Sequence, residues 1–116
     1  MAKLVQYIMI IKEHTAGWPL GAIVAQGCHA ITACMALYHN TEAYKSYTQE
    51  SELSEMRKVV LESSMEQWCL LKQTLEAKGI RFYEWFEKPE NVLTAVALLP
   101  GSQTILKPLI SHLKLL

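Results

Sequence analysis

Residues 17–33, GWPLGAIVAQGCHAITA, constrain this chain more than any other stretch. They open on a Trp-Pro turn and pass into a helix built largely from small residues, which can press its backbone close to a neighbouring sheet. Pro19 suits the first turn of that helix, where its missing N–H would have no partner. The pattern predicts a helix running to about Tyr38. Gln26 and His29 are its strongly polar side chains, and Ala22, Gln26, His29 and Ala33 share one face at 4-3-4 spacing. An imidazole held in a partly closed site is suited to proton transfer.

The rest of the chain supplies the sheet. Residues 4–11, LVQYIMII, form a short, continuously apolar run that suits a central strand buried on both faces. A polar loop over 12–17 follows. Residues 40–56 are polar and charged and read as a short, exposed second helix. A second strand is predicted over 58–62. Ser63 with Glu66 forms a capping-box pattern for the next helix, which should end at Gly79. A third, aromatic strand covers 80–86, a turn 87–91 and a fourth, apolar strand 92–99. A last helix is expected over about 102–114, with Pro108 either kinking it or moving its start downstream. Helical crossovers make the first three strands parallel, and the five-residue turn makes the fourth antiparallel. The expected fold is therefore α/β, a three-layer α/β/α domain over 1–116 with a four-stranded mixed sheet.

Eleven basic and eleven acidic residues balance, so any contact with nucleic acid has to be a local patch. Three cysteines, Cys28, Cys34 and Cys69, read as buried thiols in a reducing compartment, and the chain is expected to be cytoplasmic. No run of about 18 apolar residues is evident, so no membrane span is expected. The spacing of Cys and His lacks a paired zinc-ligand pattern, and no Gly-rich phosphate loop is present. Neither a metal nor a cofactor is predicted.

Ligands of such a sheet bind at the carboxyl ends of the parallel strands. That rim should receive Lys12 and His14 after the first strand, Glu87 after the third and Thr94 near the start of the fourth. With Gln26 and His29 from the helix, three distant segments converge there. The register over 84–87 leaves Glu84 as an alternative to Glu87. The aromatic residues Phe82, Tyr83, Trp85 and Phe86 read as sheet packing.

These residues resemble the type 2 peptidyl-tRNA hydrolase family. GAIVAQGCHA is similar to that family's glycine-lysine, alanine-glutamine, histidine-alanine helix. The first strand ending at Lys12, the segment MRKVVLE and the terminal HLKLL match as well. Trp85 with Pro89, Glu90 and Asn91 places it nearer the eukaryotic branch called peptidyl-tRNA hydrolase domain-containing proteins. The chain departs from the family at defined points. The family's lysine falls at Ala22, its aspartate at or near Glu87, and the loop after that aspartate is shortened to residues 88–91.

The resemblance implies a hydrolase that cleaves the ester between a peptide and the 3'-terminal ribose of tRNA, with the acceptor end of peptidyl-tRNA as partner. His29, Thr94 and Glu87 are then the catalytic candidates. Gln26 would hold the carbonyl or ribose, and Lys12, His14, Arg57, Lys58 and Lys88 would contact substrate charge. A homodimer is a possible state, since family members frequently pair. The alternative is a non-catalytic module that binds tRNA or a protein on the same fold.

Overall fold

A computed structural model of the chain describes residues 3–116. Strand β1 (Leu4–Ile11) is followed by a one-turn helix α1 (Lys12–Thr15), the long helix α2 (Leu20–Tyr38), a short α3 (Glu42–Tyr47) and a 3₁₀ turn over Glu50–Glu55. Then come β2 (Lys58–Ser63), α4 (Met65–Ala77), β3 (Phe82–Glu87), β4 (Val92–Leu98), β5 (Gly101–Ser102), α5 (Gln103–Ile110) and β6 (Lys114–Leu115). The sheet order is β3-β4-β1-β2-β6, with β5 paired to β1. β1 and β2 are parallel, and β4 is antiparallel to both β1 and β3, so β3 runs with β1.

The α/β class holds, but the predicted four-stranded sheet is enlarged to six strands. β5 and β6 have two residues each, too short to leave a period-2 pattern. β1 is continuously apolar because both its faces are covered. Val5, Tyr7, Met9 and Ile11 pack with Trp68, Leu71 and Leu75 of α4 and with Leu106 and Ile110 of α5. Ile8 and Ile10 face the other way, onto Ala30 and Cys34 of α2 and Tyr44 of α3.

α2 lies close on the sheet, as its small residues predict. A methyl group added at Gly27 would meet Ile8 Cγ2 at 3.8 Å and Ile10 Cδ1 at 3.9 Å, which is ordinary van der Waals contact. Gly27→Ala is therefore expected to stabilise the fold by about 0.5–1 kcal/mol through helix propensity. A urea-denaturation midpoint at or below that of the parent chain would contradict it.

Several local expectations need correction. Of the three cysteines expected to be buried, only Cys34 is; Cys28 and Cys69 lie on outward faces of α2 and α4 and are exposed. Residues 12–15 form a helical turn and not a loop. The segment after α2 is less exposed than its polarity suggests, because Tyr44 and Tyr47 are both buried. The cap of α4 sits one residue later than expected. The Ser64 side chain accepts from Gln67 N–H and the Gln67 side chain accepts from Ser64 N–H, while Ser63 is a buried strand residue. Pro108 is carried inside α5 without moving its start, and that helix stops at Ile110. α2 itself has 19 residues without a charged side chain and, over 18 of them, a mean hydropathy of 1.6, enough in length and composition to cross a bilayer. The small residues and the polar Gln26 and His29 that interrupt it hid this in the sequence. Here the helix lies along the sheet, with Gln26, Gly27, Ala30 and Cys34 buried.

Candidate active site

α2 meets the β3–β4 hairpin at an irregularity. Trp85 pairs with Ala95 but Phe86 pairs with Leu93, so Thr94 has no partner on β3. This is a β-bulge, and it turns Thr94 and Ala95 toward the same side of the sheet. Ala95 packs beneath α2, and Thr94 reaches Gln26 there. The Thr94 hydroxyl donates to Gln26 Oε1 at 2.6 Å. Both side chains are buried, Thr94 completely. Thr94 is thus enclosed, and its hydroxyl holds the amide oxygen of Gln26. Among the described residues no buried side-chain nitrogen or oxygen lacks a partner. Among the described residues Gln26 Nε2 makes no hydrogen bond to protein, and the residue is 3% exposed.

One helical turn further along α2, His29 is exposed. Its imidazole stacks on the indole of Trp85, ring centroids 4.5 Å apart and planes inclined by 12°. Trp85 Nε1 donates to Glu87 Oε1 at 3.0 Å. Strand alternation puts Trp85 and Glu87 on the same face of β3. It puts Glu84 on the opposite one, where that carboxylate accepts from Trp68 Nε1 at 2.8 Å and pairs with Lys72 at 3.0 Å. Of the two glutamates, Glu87 is the one beside His29. Trp85, read in the sequence as packing, joins the imidazole to the carboxylate.

The end of β1 is held by two contacts from α1. His14 Nδ1 lies 2.6 Å from the carbonyl oxygen of Leu93, next to Thr94. Donation from Nδ1 to that carbonyl leaves Nε2 of the neutral ring as an acceptor. The Glu13 carboxylate accepts from the Met65 N–H at 3.0 and 3.1 Å, at the start of α4. That backbone hydrogen bond lowers the Glu13 pKa below the ordinary carboxylate value. Sequence reasoning missed Glu13, whose partner lies on a distant helix.

The basic residues do not form one cluster. Lys12 is exposed at the rim, and Lys88 Nζ donates to Asn91 Oδ1 at 2.5 Å within the turn that follows β3. Arg57 and Lys58 belong to the other end of the sheet. Lys58 is level with Gln6, five positions from the Ile11–Ser63 pair, which is about 17 Å along a strand. Lys58 Nζ donates to Gln6 Oε1 at 2.6 Å and lies 4.9 Å from the Tyr47 ring centroid. Burial of the ammonium lowers its pKa from the ordinary lysine value.

Two hollows open at that same far end. One of about 390 Å³ is bordered by Thr41, Arg81 and Pro100, and one of about 530 Å³ by Lys3, Tyr47, Glu52 and Arg57. Neither borders His29, Trp85 or Glu87, which form an open face. No group of three or more His, Cys, Asp or Glu side chains among the described residues is placed to hold a metal ion.

A family model described as peptidyl-tRNA hydrolase PTH2 matches residues 4–116. The proteins named "Putative peptidyl-tRNA hydrolase PTRHD1" of Mus musculus and of Homo sapiens are each 43% identical to this chain over 101 residues, covering 84% of it and 71% of their own length.

Proposed function

The chain belongs to the peptidyl-tRNA hydrolase PTH2 family, and from that membership and the His29 face we propose that it cleaves the ester joining a peptide to the 3'-terminal ribose of tRNA. The observation that carries the reading is the pairing of an exposed imidazole with an anchored amide donor one helical turn away. Ester hydrolysis needs a proton acceptor for the attacking water and a donor for the charge that develops on the carbonyl oxygen. His29 takes the proton, and Glu87, tied to Trp85 beside it, stabilises the imidazolium that results. The Gln26 Nε2–H₂ group donates to the oxyanion. Thr94 acts through Gln26, since its hydroxyl holds the amide oxygen and leaves the nitrogen to donate. Lys12 and Lys88 lie nearest this rim and take the substrate's phosphates, while His14, its Nδ1 engaged with the Leu93 carbonyl, keeps the end of β1 in place. An open face suits a substrate as large as tRNA. Three free thiols fit a reducing compartment, and we place the reaction in the cytoplasm.

Turnover of an N-blocked aminoacyl-tRNA by the purified chain tests the proposal. Hydrolysis no faster than the buffer control at micromolar protein would refute it.

Ala22 favours a second reading, a module that binds tRNA without cleaving it. It stands on the Gln26–His29 face of α2 where the related family has lysine. In this reading the parent chain does not turn over, and Ala22→Lys, by restoring a cation on the Gln26 face, brings hydrolysis above the buffer control. Parallel assays of both chains, with titration of uncharged tRNA, distinguish the two. Binding without turnover in the parent chain and turnover in Ala22→Lys supports the module. Turnover in the parent chain removes it.

A further inference from the structure

We propose that Trp85 is a positioning residue for the reaction, holding the His29 imidazole on its ring face and the Glu87 carboxylate on its ring edge so that the two are presented as one unit. The inference rests on the hydrolase reading for its catalytic consequence, but its geometric content stands apart from it. An exposed histidine on a helix has several side-chain rotamers open to it, and a base must be held within a narrow range of angles to work. No hydrogen bond from protein to the His29 ring nitrogens fixes that orientation among the described residues. The nearly parallel stack at 4.5 Å does.

The indole N–H can only donate, and at 3.0 Å its acceptor is Glu87 Oε1. Glu87 is the last residue of β3, the edge strand of the sheet. Without this bond its side chain would turn freely into solvent. Trp85 is itself seated, because it packs against the cluster formed by Ile10, Ala30 and Ala95. The sheet is thereby linked to the imidazole and to the carboxylate through one side chain. A tryptophan that served packing alone would need neither contact.

Two substitutions separate the contacts. Trp85→Phe keeps an aromatic face for His29 and loses the donor to Glu87, whereas Trp85→Leu loses both. In the parent chain the His29 ring protons should resonate upfield, under the indole ring current. The displacement should survive in large part in Trp85→Phe and vanish in Trp85→Leu. With N-blocked aminoacyl-tRNA, kcat should fall about tenfold in Trp85→Phe and up to about a hundredfold in Trp85→Leu, with KM unchanged within about twofold. Thermal midpoints of both variants, and Trp85→Phe where the leucine variant folds poorly, guard against a general loss of structure. Unmoved His29 resonances in Trp85→Leu would overturn the proposal whether or not the chain hydrolyses anything. So would an unchanged kcat in that variant, or a loss confined to KM. A parent chain without turnover refutes the hydrolase reading and the catalytic consequence together, while the imidazole resonances alone decide whether Trp85 holds His29.

Discussion

Replacing His29 with alanine is expected to slow ester hydrolysis by about 10²–10⁴-fold, the usual contribution of a positioned acid–base group, while leaving the fold intact. The two effects separate because of where His29 sits. The side chain is exposed and α2 is anchored elsewhere, through Gln26, Gly27, Ala30 and Cys34. Alanine is the best helix former, so the backbone gains slightly at that position. The stack on Trp85 is lost, which removes about 0.5–1.5 kcal/mol of aromatic contact at most. The net change in stability should be small beside the change in rate. Single-turnover hydrolysis of N-blocked aminoacyl-tRNA, with thermal unfolding of the same samples, measures both. A rate within threefold of the parent chain would remove His29 from the reaction.

Thr94 behaves differently, and the contrast bears on what the sequence could reveal. A threonine near the start of a strand reads as one more β-branched residue. The bulge that turns it under α2 would show only as a break in alternation. Residues 92–98, VLTAVAL, are buried at all but the first position and carry no alternation to break. The long helix and the central strand were legible because each has one strong period and a length that fits it. The rim was legible from topology, since strand direction alone carries His14, Glu87 and Thr94 to one end. The same rule puts Arg57 and Lys58, which begin a parallel strand, at the opposite end. Trp85 was obscured for another reason. An aromatic residue in a strand looks identical whether it faces a core or a helical imidazole, and its contact with His29 joins elements that lie far apart in the chain. The Glu13–Met65 contact escaped for the same cause: long-range side-chain pairing leaves no local pattern.

Alkaline pH is expected to unfold this chain earlier than its neutral composition suggests. Burial raises the pKa of the Cys34 thiol and of the phenols of Tyr7, Tyr44 and Tyr47 above their ordinary values of 9.0 and 10.0. Their protons are held more tightly in the folded chain than in the unfolded one. The stability they contribute is therefore complete below about pH 9 and is lost progressively as pH rises through and beyond 10. Lys58 opposes them. Burial lowers its pKa from 10.5, so the cost of its charge is relieved as pH climbs toward that value. Four groups act against one, and Lys58 is also partly open to water, which weakens its share. Each acidic group alone changes stability by about 1.4 kcal/mol per pH unit within its range. A domain of this size starts from about 5–15 kcal/mol, so losses of this kind above pH 10 are large enough to lower its stability measurably, though each is lessened where the group is partly open to water. Urea midpoints taken from pH 8 to 11 should be level at first and then fall steeply. Tyr44→Phe removes one of these groups and changes the surroundings of a second, Cys34, which it contacts. It removes a hydroxyl that accepts from Gln6 Nε2 at 2.8 Å, while that amide keeps its second bond to the Leu98 carbonyl at 3.0 Å. The variant should start less stable by about 1 kcal/mol and fall less steeply. Midpoints that stay level to pH 11 would mean that these groups titrate freely and that the polar cluster around Gln6 is open to water.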